Sequence, residues 1–97
     1  MLTEYEVRQR AMEIEGSPDA PMRRVRGLMR LARVLKLQAR TLLHARALSA
    51  HTRDWNVEAH LERRIRSLRA LYEEVRLAAQ RVLSGEGGFF APNPSMA

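Results

Sequence analysis

From Leu61 onward, apolar residues recur at alternating steps of four and three: Leu61, Ile65, Leu68, Tyr72, Val75, Ala79 and Val82. That spacing places them along one seam of a long α-helix, and no strand pattern reproduces it. Leu71 and Ala78 widen the seam on one side. A seam of this length must be buried against other helices, so the pattern predicts an all-α fold with coiled-coil-like packing.

A partner for the seam lies immediately upstream. Across residues 20–50, Leu28, Leu31, Val34, Leu35, Ala39 and Leu42 share one arc at 100° per residue, flanked by Ala32 and Leu43. Arg26, Arg30, Arg33, Lys36 and Arg40 take the opposite arc, and the two faces are expected to separate cleanly. Gly27 is the only weak helix former inside this stretch.

Between the two periodic stretches, Thr52, Asp54 and Asn56 offer three N-caps within five residues. A single uninterrupted helix of some sixty residues would be about 90 Å long. The cap cluster and the loss of phase between the stripes favour an antiparallel hairpin instead. Trp55, beside the bend, is read as a plug for the end of the hairpin core, or otherwise as an exposed anchor.

A shorter helix precedes the hairpin. Thr3 and Glu6 have the spacing of a capping box, and Leu2 with Val7 that of a hydrophobic staple. Val7, Ala11 or Met12, and Ile14 make a thin apolar stripe, and Gly16 supplies a stop. The stretch from Ser17 to Pro21 reads as a turn, with Asp19 as N-cap and Pro21 in the next first turn. The expected organisation is one helical domain over residues 1–84, with helices at about 3–15, 20–50 and 56–83. Residues 85–97 form a Gly/Pro-rich tail. One short helix covers only part of two wide apolar arcs, so a homo-oligomer completing a larger bundle is expected. Leu61, Ile65, Leu68, Tyr72, Val75 and Val82 would form its packing and oligomer interface.

Charge is distributed unevenly. Arginine outnumbers lysine sixteen to one, which a GC-rich coding sequence accounts for, but its placement needs another reason. Residues 1–19 carry a net −3, and residues 54–97 are balanced. From Ala20 to Arg53 there is no acid at all and a net +9. The candidate site for an anionic partner is therefore Arg23, Arg26, Arg30, Arg33, Lys36 and Arg40.

Chemistry is poorly supplied. There is no cysteine, which removes disulfides, thiolate metal sites and cysteine nucleophiles. His44, His51 and His60 lack the Glu-x-x-His and His-Glu-x-x-His spacings of helical metal sites. Gly85-Glu86-Gly87-Gly88 follows a helix and leads into coil, the reverse of a phosphate-binding loop. No catalytic residue, cofactor, metal or small-molecule substrate is expected. No apolar run approaches a membrane span and no secretory leader is evident at the N-terminus, so a cytoplasmic location is expected.

Three functions remain. The first is a non-enzymatic interaction or assembly module, an adaptor whose Arg-rich face docks an acidic protein surface. The second is sequence-nonspecific nucleic-acid binding through the same face, directed at phosphates because that helix has no base-stacking aromatics. Membrane attachment comes third, because the core already claims the apolar arc. Phe89 and Phe90, adjacent aromatics in a tail of glycine and proline, either fold back on the helix ends or dock a partner.

Overall fold

The structure, a computed structural model, describes residues 2–52, 55–86 and 88–90. It contains three helices, α1 (Glu4–Glu15), α2 (Pro21–Thr52) and α3 (Trp55–Leu83), with no strand among the described residues. α2 and α3 lie against each other along an extensive interface, and α1 packs on both. The molecule measures 51 × 26 × 18 Å, the length of its own hairpin. Among the described residues no helix is long and apolar enough to cross a membrane.

Each helix boundary has a local cause. Thr3 caps α1: the Glu6 N–H donates to Thr3 Oγ1 at 3.2 Å, and the Thr3 N–H donates back to Glu6 Oε1 at 3.4 Å. Gly16 ends α1 with a right-handed φ of −82°, so its use is as a stop without a left-handed turn. Asp19 does not cap α2. The Ala20 carbonyl accepts from Arg23 and Arg24 N–H at 2.9 and 3.2 Å, which makes Ala20 the cap and Pro21 the first helical residue. Asp19 instead donates its N–H to Ser17 Oγ at 3.2 Å.

At the bend, Thr52 closes α2 and Asn56 already lies inside the first turn of α3; Asp54 is outside the described residues. At the far end α3 stops in a Schellman motif. Gly85 has φ +73°, its N–H reaches Val82 O, and the Glu86 N–H reaches Arg81 O at 2.9 Å.

The core runs between the hairpin arms and under α1: Leu28, Leu31, Leu35, Leu68, Leu71 and Val75 are buried, with Val7 and Ala11 inserted from α1. α1 crosses α2 at Gly27, where a Cβ would come within 3.1 Å of Ile14 Cγ2. A larger residue there would hold the two helices apart.

Three sequence expectations change. Val34 is exposed, because it sits about 100° around α2 from Leu35, outside the arc facing α3. Met29 and Leu37 are also exposed, so the apolar and basic faces of α2 interleave rather than separate. Of the two readings of Trp55, the core plug falls and the exposed position holds: it is 76% exposed, and Leu48 and Val57 near it are exposed as well. On the exposed flank of α3, Glu62 pairs with Arg46 of α2 at 3.2 Å and Glu73 with Arg76 at 3.5 Å.

Candidate functional site

Two antiparallel helices in contact leave a groove on each side of their seam. In this chain the two grooves are treated differently, and the difference defines the site.

One groove holds α1. It runs along the flank of α2 that carries Gly27 and the flank of α3 that carries Arg64 and Glu74. Polar clasps hold α1 at both ends. Arg64 Nη2 donates to the Leu2 carbonyl at 2.6 Å, and Arg24 Nη1 donates to the Glu15 carbonyl at 3.2 Å. Midway, Arg8 lies 3.2 Å from Glu4 and 3.3 Å from Glu74 of α3.

The same groove takes the tail. Glu15 is 6% exposed, and its carboxylate accepts the backbone N–H of Phe89 and, at 2.7 Å, that of Phe90. The Phe90 ring packs on the core with the Arg8 guanidinium 6.0 Å from its centroid, and the Phe89 ring meets it edge-on at 5.2 Å. Of the two uses expected for these phenylalanines, the fold shows the return onto the helices. Residues 91–97 lie outside the described residues.

The second groove is open. Two adjoining depressions of about 450 and 420 Å³ run along it and share Lys36, Arg40 and Tyr72. Its floor is apolar: Leu35, Ala39 and Leu68 at the bottom, with Leu43 and Tyr72 on the walls. Met29, at 43% exposure, and Leu37, at 50%, continue the apolar surface up the α2 side. Arg33, Lys36 and Arg40 stand along that side, and Arg69 stands opposite on α3. None of these four cations has an ion-pair partner among the described residues. Among the described residues the only acid lining the groove is Glu73, already 3.5 Å from Arg76.

The basic residues singled out from the sequence thus fall into three environments. Arg33, Lys36 and Arg40 line the groove. Arg26 and Arg30 are exposed on α2 but outside it. Arg23 is exposed 4.0 Å from Asp19. Among the seam residues, Ile65, Leu68, Val75 and Val82 are buried within the chain itself, while Leu61 and Tyr72 are half-buried. Tyr72 therefore keeps area for a partner.

Sequence reasoning missed Glu15 and Arg69. Glu15 had a faint signal, an acid on the last turn of a helix whose neighbouring Ile14 faces inward. Arg69 had none, because its relation to Lys36 and Arg40 exists only once the hairpin has closed. His44 and His60 are exposed, and the His51 side chain lies outside the described set. Among the described residues no group of three His, Asp or Glu gathers closely enough to hold a metal ion.

No protein-family model, curated protein or solved structure matches this chain.

Proposed function

We propose that the protein is a non-enzymatic interaction module, an adaptor that uses the basic side of α2 to dock an acidic surface of a partner protein. One observation carries this reading: four cations with no ion-pair partner among the described residues surround an apolar groove. Leaving like charges together costs stability unless something else meets them, and the apolar floor asks for cover as well. An acidic protein surface supplies both. The cytoplasmic location expected from the sequence suits such a partner.

Nucleic-acid binding is the second reading, favoured by Arg26 and Arg30, which extend the exposed basic surface beyond the groove. Phosphates would neutralise these cations but would leave Met29, Leu37 and Leu43 uncovered, which makes this the weaker account.

Titration of labelled mixed-sequence duplex and single-stranded DNA at physiological salt discriminates between the two. Non-specific binders typically show dissociation constants of about 10⁻⁴–10⁻⁶ M under such conditions. The adaptor reading expects binding at the weak end of that range or none. Affinity tighter than about 10⁻⁶ M, falling steeply with salt and abolished by Arg33→Glu with Arg40→Glu, would overturn it in favour of nucleic acid.

A further inference from the structure

The two grooves of the hairpin are built alike, and the filled one indicates what the open one accepts. α1 is a twelve-residue helix whose segment is net acidic, with a narrow apolar stripe pressed between α2 and α3. Arginines from both long helices clasp it: Arg24 from α2 and Arg64 from α3. The open groove repeats those elements. It has an apolar floor from both helices, cations from α2 on one side and Arg69 of α3 on the other. Its lining residues on α2 run from Met29 to Leu43, about 21 Å at 1.5 Å per residue, the length of roughly four helical turns.

We infer that this groove is the docking site for one amphipathic helix of another protein, about fourteen residues long, with an apolar stripe bordered by acids on both sides. The inference rests on the adaptor reading above and narrows its partner from an acidic surface to an acidic helix. Cations on both rims demand acids on both flanks of the stripe, and the apolar floor between them demands the stripe itself. Met29 contributes an unbranched, adaptable side chain at the groove edge, suited to more than one apolar sequence.

A second copy of the chain fits poorly. A twofold contact through this face brings the Lys36, Arg40 and Arg69 cluster of one copy up to the same cluster of the other, with Glu73 the only acid among the described lining residues to offset them. The chain's own acidic helix is α1, and it is already seated on the opposite side.

The test uses three labelled fourteen-residue synthetic peptides, a length set by about 1.5 Å per residue. One has leucines at helical spacing flanked by glutamates, one has the same composition scrambled, and one has lysine for every glutamate. Fluorescence anisotropy with the full chain at physiological salt should show binding of the patterned acidic peptide. The other two should bind at least about tenfold more weakly. Lys36→Glu with Arg40→Glu should weaken the patterned peptide by at least about tenfold, while Arg26→Glu with Arg30→Glu, off the groove, should change it by less than about threefold.

Equal binding of patterned and scrambled acidic peptides, or equal losses from the two mutant pairs, overturns the helix-docking inference while leaving the acidic-surface reading standing. Failure of both acidic peptides, together with duplex binding that Lys36→Glu and Arg40→Glu remove, overturns both. A dimer of the protein alone that the patterned peptide cannot enter, and that mutation of the groove breaks, assigns the groove to a second copy and overturns the inference.

Discussion

Glu15 occupies a position that an acid seldom takes in so small a domain: it is buried, and its two carboxylate oxygens accept backbone N–H groups of Phe89 and Phe90. Hydrogen bonds to a charged acceptor contribute about 1.5–3 kcal/mol, more than neutral ones, so this single side chain can determine whether the tail stays docked. Glu15→Ala removes both acceptors and leaves the Arg24 bond to the Glu15 backbone carbonyl possible. We expect it to release the tail without unfolding the helices. Chymotrypsin, which cuts after Phe, should then cleave at Phe89 and Phe90 at least about tenfold faster than in the wild type, with helicity by circular dichroism unchanged. Equal cleavage rates would show that the phenylalanine rings alone hold the tail. The sequence marked Phe89 and Phe90 as unusual, because two adjacent aromatics stand out among glycines and prolines. It left Glu15 among the acids of a short helix, because nothing local says that its carboxylate faces the far end of the chain.

Elements built on repeated local signals were legible in advance. The heptad steps of α3 and the Thr3–Glu6 capping box each rest on residues within a few positions of one another, and the structure contains both. Departures arise where one helix meets another. Leu71 and Ala78, which only widened the seam in the sequence, are fully buried, whereas Tyr72, a seam residue, is half-buried and lines the open groove. Similarly, Gly27 reads in sequence only as a poor helix former, yet in three dimensions it is where Ile14 of α1 touches α2. Gly27→Ala should be nearly neutral, since about 0.5–1 kcal/mol of helix propensity offsets the small shift that a Cβ at 3.1 Å forces on the Ile14 side chain. Gly27→Leu has no such escape. It should lower stability by about 1–3 kcal/mol through overpacking and lift α1 from the hairpin. Urea denaturation measures the loss, and hydrogen exchange at the α1 amides localises it. A Gly27→Leu protein as stable as the wild type would mean that α1 adds little to the fold.

At the scale of the whole molecule, the net charge of +6 is not spread evenly, and its distribution bears on whether copies associate. The sequence suggested an oligomer, since one three-turn helix looked too small to cover two wide apolar arcs. In the structure α1 and Phe90 cover one groove, so the case for self-association shrinks to the other groove and to the exposed Leu48, Trp55 and Val57 near the bend. The two ways of pairing respond oppositely to salt. If open grooves meet face to face, the cations of each copy repel those of the other. Shortening the Debye length from about 8 Å at 0.15 M salt to about 3 Å at 1 M should then strengthen association. If the acidic α1 of one copy meets the basic α2 of another, added salt should weaken it. Because the groove cations have few acids near them and the carboxylates of Glu4 and Glu15 are engaged within the chain, the first behaviour is expected. Sedimentation velocity should find a monomer at low salt, with any dimer growing as salt is raised. A dimer that is tightest at low salt and dissociates on adding salt would instead place α1 against a neighbouring α2, and would show that the +9 of residues 20–53 is answered by the chain's own acids.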